Sequence, residues 1–145
     1  MPSSPPPVLG VSIAVFRQGL VLVATRTKPP FEGAYSLPGG HVEARETLEQ
    51  AALRELHEEV DVTARIIGFN QYVEPIRWEN ANQLCRHFVI ASFVGVWVAG
   101  DGRPSPEAGD VRWLHPEALA HLPVTPGLQT VVDRARKIFA EKTRE

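Results

Sequence analysis

Cysteine is almost missing from this chain: Cys85 is the only one among 145 residues. A lone cysteine excludes an intramolecular disulfide, so nothing marks an oxidising compartment. It lies in the apolar run Leu84–Gly95, where a buried, inert thiol is expected. No His/Cys spacing of the zinc-binding kind occurs. No stretch approaches the roughly 18 apolar residues of a membrane-crossing helix. The leading MPSSPPPVLG has neither the basic nor the apolar region of a signal peptide. A cytoplasmic protein with no membrane partner is the expectation. An excess of one charge sign is also lacking. Lys and Arg number 15 against 17 Asp and Glu, a formal charge of −2. No global field draws in nucleic acid, so none is expected as a partner. A phosphate-bearing ligand would need a local device, such as arginines or a bound cation.

What is present is ordinary for a globular protein, with 43% apolar and 22% charged residues. The length suits one domain over residues 8–145, preceded by a Pro/Ser-rich arm over residues 1–7 that is expected to be disordered. Val8–Phe16 and Leu20–Thr25 read as strands joined at Gln18-Gly19. Lys28-Pro29-Pro30 opens a loop, and Ala34–Leu37 reads as a short strand ending at Pro38-Gly39-Gly40. Thr47 with Gln50 forms a capping-box pattern, which predicts a helix over about residues 48–60. Strands follow at Thr63–Val73 and Leu84–Val98, separated by a polar segment. After the Gly/Pro loop Gly100–Gly109 come a strand at Asp110–Leu114, a small helix opened by His115-Pro116-Glu117, and a last helix from Thr125-Pro126 to about Lys142. The fold class is α/β, with a mixed sheet and helices packed on it.

The 48–60 helix carries an anomaly. At roughly 100° per residue, with Leu48 at zero, Ala52, Leu56 and Val60 fall on one arc. Glu55 and Glu59 land inside that arc, at roughly −20° and +20°, and Glu58 at its edge, near −80°. A merely solvated acidic face would point the other way. Carboxylates beside apolar packing must be paired or bound to a cation. The spacing i, i+3, i+4 gathers three of them on one side. Oxygen donors of this kind suit Mg²⁺ or Mn²⁺. The plainer alternative is a surface helix neutralised by Arg54 and other basic residues.

The same residues carry a resemblance. Gly40, five residues, Glu46, seven residues, then Arg54-Glu55-Leu56-His57-Glu58-Glu59-Val60-Asp61-Val62 resembles the Nudix box of the Nudix hydrolases, G-x5-E-x7-R-E-U-x-E-E-x-G-U, with U a bulky apolar residue. One fixed position departs: Asp61 stands where the box has glycine. The resemblance implies a mixed-sheet α/β/α sandwich and metal-dependent hydrolysis of a nucleoside diphosphate linked to another moiety. It implies Glu55, Glu58 and Glu59 as metal ligands, Glu46 and Gly40 as support of the metal site, and Arg54 as the residue that orients a glutamate. Leu56 and Val62 match the packing positions. The proton acceptor stays open between Glu58, Glu59 and a later loop acid, Glu79, Glu107 or Asp110, although a solvated acid is the plainer reading of those three. Asp61 is expected at φ > 0, where glycine is common at helix ends.

Substrate contacts lie outside the box. Arg26, Phe31 and Tyr35 before it, and Arg77, Trp78 and Arg86 after it, are candidates, since arginines suit phosphates and rings suit bases. Packing is the competing role of Phe31 and Tyr35. In ADP-ribose pyrophosphatases a proline follows the box by about fifteen positions, and Pro75 is near that place but not on it. ADP-ribose or a related derivative is the expected small-molecule substrate. The alternatives are a nucleoside triphosphate pyrophosphohydrolase and a non-catalytic nucleotide-binding module. The resemblance also leaves a homodimer open.

Overall fold

The computed structural model describes residues 5–80 and 83–144; the side chains of residues 79–85, including Glu79 and Cys85, and residues 1–4 of the expected N-terminal arm lie outside the described residues. The described residues form eight strands and two α-helices: β1 Val8–Arg17, β2 Leu20–Arg26, β3 Tyr35–Ser36, β4 Gly39–His41, α1 Leu48–Val60, β5 Thr63–Val73, β6 Ile76–Asn80, β7 Gln83–Ala99, β8 Ala108–Leu114 and α2 Leu128–Thr143. A 3-10 helix, Pro116–His121, takes the place of the small helix expected there.

The sheet is mixed. Its order is β3-β2-β1-β7-β5, with β4 on β1, β8 on β2 and β6 on β7. β1 and β7 run parallel from Val8↔Phe88 to Phe16↔Val96, whereas β1 and β2 are antiparallel. β1 is apolar without alternation because both its faces are covered. Val11, Ile13 and Val15 enter one core with Ala51, Ala52, Leu56 and Val60 of α1. Ala14 and Phe16 enter a second core with Leu128, Val132 and Ala135 of α2. The result is helix, sheet, helix. No helix among the described residues is long and apolar enough to cross a membrane.

Two strands were not expected from the sequence. The polar segment after Val73 forms β6 and folds back on β7, with Arg77 opposite Arg86. Gly39–His41 pairs with β1 through Gly10, Val11 and Ser12. Glycine is a poor strand former, but here nothing else fits: a Cβ on Gly39 would collide with the backbone carbonyl of Val11.

The α1 ends follow local chemistry. Thr47 accepts from the Gln50 amide at 3.1 Å while the Gln50 side chain accepts from the Thr47 amide at 2.9 Å. At the other end Asp61 takes φ 56°, ψ 46°, and its N–H donates to the His57 carbonyl. Its carboxylate faces Arg103 Nη2 at 2.5 Å. The left-handed cost of an aspartate is thus offset by an exposed ion pair worth about 0–1 kcal/mol. Asp61→Gly is expected to leave the melting temperature within about 3 °C, because relief of the backbone and loss of the pair oppose each other. Asp61→Ala loses the pair and keeps the strain, so thermal denaturation should show a fall of about 3–6 °C.

Candidate active site

α1 turns its Glu55–Glu59 side toward β4 and the loop before β8. One oxygen each from Glu55, Glu59 and Glu107 lie within 4.8 Å of one another. Glu55 is 8% exposed. Gly40 explains how its carboxylate reaches the sheet: a Cβ there would sit 2.5 and 2.6 Å from its two oxygens. The Gly39 amide donates to Glu59 Oε2 at 2.9 Å.

Arg54 is the main counter-charge. Its Nε and Nη2 engage both oxygens of Glu46 at 2.6 and 3.0 Å. Nη1 reaches Glu55 Oε1 at 3.0 Å and Glu58 Oε2 at 3.1 Å, and Nη2 donates to the His41 carbonyl at 2.9 Å. The forked guanidinium therefore ties α1 to both the helix lead-in and the strand end. Glu46 is held below the usual carboxylate range by its bonds to Arg54 and then by the Glu43 amide.

Arg54 does not reach Glu59 in any hydrogen bond among the described residues. Burial, reinforced by the charges of Glu55 and Glu107, pushes the Glu59 carboxyl up to about 8, against the opposing pull of the Gly39 amide and Arg26. Burial likewise raises Glu55, although Arg54 opposes it. Such a cluster needs either a proton or a cation. Its donors are all carboxylate oxygens, which fit a hard divalent ion.

The NUDIX domain family matches this chain over residues 6–135. The chain belongs to the Nudix family. It is 29% identical over 116 residues to the ADP-ribose pyrophosphatase of Methanocaldococcus jannaschii, covering 79% of this chain and 69% of that protein. It is 31% identical over 120 residues to the NAD-capped RNA hydrolase NudC of Stutzerimonas stutzeri, where it covers 82% of this chain but only 40% of that protein. Among solved structures, the MutT NUDIX hydrolase from Burkholderia pseudomallei superposes with a TM-score of 0.79 at 25% identity, covering 90% of this chain and 98% of that one.

The Nudix box residues divide. Glu55 and Glu59 enter the cluster with Glu107. Glu58 stands at the rim, its side chain 56% exposed and paired with Arg54. Glu46 faces Arg54 rather than the cluster. Glu107 was one of three loop acids open as proton acceptor, with a solvated acid the plainer reading; the structure brings its carboxylate to Glu55 and Glu59.

The substrate candidates are also sorted. Arg26 lies close enough to Glu59 to oppose its protonation, with Nε on the Pro30 carbonyl at 2.7 Å. Phe31 is 54% and Trp78 59% exposed. Tyr35 has no open ring face for stacking: it is 6% exposed, and its hydroxyl donates to Asp110. Arg77, Trp78 and Arg86 sit on the β6–β7 hairpin and not in the cluster. Arg86 lines a cleft of about 210 Å³ with His41 and Phe88, whose rings stack at 6.1 Å.

A raised carboxyl pKa means that the folded chain binds its proton more tightly than the unfolded chain. Without divalent cation, stability is therefore expected to fall as pH rises from about 4.5, the unfolded value, to about 8. Calorimetry with and without MgCl₂ should show stabilisation by the cation growing across that window, as the cation displaces the proton. Gly40→Ala should displace the Glu55 carboxylate and weaken cation affinity by at least tenfold in a titration followed by calorimetry.

Proposed function

We propose that the protein hydrolyses the diphosphate linkage of a nucleoside diphosphate derivative, with ADP-ribose the favoured substrate, using Mg²⁺ or Mn²⁺ at Glu55 and Glu59. The observation that supports this reading is the convergence of Glu55, Glu59 and Glu107 against the Gly39-Gly40 strand. When bound there, a divalent cation supplies neutralisation of phosphate oxygens and lowers the pKa of an attacking water. The chain's own residues do the rest. Glu107, the exposed member, is placed to take the proton from the water. Arg54 holds Glu55 from one side and Glu58 at the rim. Arg26 is anchored through Nε, and its charge offsets that of the incoming phosphates. Asp110 is a weaker proton acceptor, since its bonds to Tyr35 and then Arg112 hold it low.

ADP-ribose is favoured because the M. jannaschii relative bears that activity in its name. A nucleoside triphosphate pyrophosphohydrolase is the second reading, supported by the likeness to a MutT hydrolase.

The test is hydrolysis of a nucleotide panel (ADP-ribose, other nucleoside diphosphate sugars, nucleoside triphosphates) with Mg²⁺ or Mn²⁺. ADP-ribose should give AMP and ribose 5-phosphate with the highest kcat/KM. Glu59→Gln should lower kcat at least 10³-fold, and Glu107→Gln about 10²-fold with little change in KM. Intact activity in both Glu58→Gln and Glu59→Gln would refute the mechanism.

A further inference from the structure

β2 has two working faces. Leu22 and Ala24 enter the α1 core, and Val21 and Val23 enter the α2 core. Continuing that alternation puts Arg26 on the Glu59 side and Thr25 on the reverse side. Thr27 joins Thr25 there, since a Cβ on Gly109 would meet both threonine side chains.

On the reverse side a set of hydrogen bonds converges on the loop that carries Glu107. Thr27 Oγ1 donates to the Pro106 carbonyl at 2.8 Å, one residue before Glu107. The Asp110 amide donates to Thr25 Oγ1 at 2.8 Å, three residues after it. The Asp110 carboxylate accepts from the buried Tyr35 hydroxyl and from Arg112 Nε at 2.7 Å. Inside the clasp the chain closes on itself. Ser105 and Ala108 exchange both backbone bonds, at 2.8 and 3.1 Å, and the Glu107 amide donates to Ser105 Oγ at 3.2 Å. Gly109 permits the approach, because a Cβ there would stand 2.6 Å from Thr25 Oγ1.

We propose that Thr27 and Tyr35 are positioning residues that fix the Glu107 loop from the reverse face of the sheet, so that Glu107 enters the acidic cluster already oriented. Neither side chain belongs to the cluster itself. The proposal rests on the role given to Glu107 above. An exposed acid on an unanchored loop samples many positions, whereas a proton acceptor works only within hydrogen-bond reach of its water. Anchoring the backbone on both sides of the residue removes most of that freedom.

The test is a double-mutant cycle on the full chain with ADP-ribose and Mg²⁺. Thr27→Val keeps the shape and removes the donor, and Tyr35→Phe keeps the buried ring. Each should lower kcat about tenfold with KM within twofold, as supporting hydrogen bonds do elsewhere, and Thr27→Ser should restore activity. In the Glu107→Gln background the same changes should cost nothing further, since the group they orient is gone. A purely structural role would instead multiply the losses, and that result, or wild-type kcat in both single variants, overturns the proposal. Full activity of Glu107→Gln alone would overturn the role of Glu107 and this inference with it, while a deficient Glu107→Gln whose losses multiply with Thr27→Val sinks the inference alone.

Discussion

The contact of the Glu55 carboxylate with Gly40 sets the geometry of the whole site. A helix carboxylate can lie flat on a strand only where that strand has no side chain. With Glu55 seated there, the pitch of α1 carries Glu59 to the Gly39 amide one turn on. Arg54, the neighbour of Glu55, is turned toward Glu46 and the His41 carbonyl. Helix, lead-in loop and strand end are thereby joined through one residue pair. The second face of the sheet, with α2 beneath it, supplies the rigid floor.

Charge balance follows from that seating. Arg54 meets Glu43, Glu46, Glu55 and Glu58, four acids around one guanidinium. Glu59 and Glu107 lie beyond its reach, and Arg26 is the cation that bears on Glu59. Burial makes the deficit expensive where it is greatest. That is why Glu59 is pushed up to about 8 although an amide donates to it. An ion pair could have closed the deficit permanently. The chain leaves it open at the point where the cluster meets solvent through Glu107, which is the state a removable cation requires.

Much of this was legible in the sequence because it is local. The helical angles put Glu55 and Glu59 inward and Glu58 at the edge, and the burial follows that order. The capping box and the left-handed Asp61 depend on residues within a turn of each other. Glu107 was legible only as one of three loop acids, and its place in the cluster was not. It joins Glu55 and Glu59 from a separate loop, and no periodicity links residues so far apart in the chain. β4 was missed for a related reason: its glycines are selected by the atoms pressed against them and not by strand propensity. Tyr35 presented an aromatic beside a loop, a pattern shared by base-stacking and packing residues. Only its burial and its bond to Asp110 separate the two.

The divided role of β2 bears on how such a site can change substrate without losing its chemistry. Residues of the cluster and its surround are carried by short strands, one helix and the clasped Glu107 loop. In the β6–β7 hairpin, with exposed Trp78 and the facing Arg77 and Arg86, β6 pairs with β7 alone. No hydrogen bond among the described residues joins the hairpin to the seating of Glu55 or to the clasp on Glu107, and it meets the site through the stack of Phe88 on His41. The carboxylate geometry is therefore fixed by glycines that admit no side chain, and not by the hairpin.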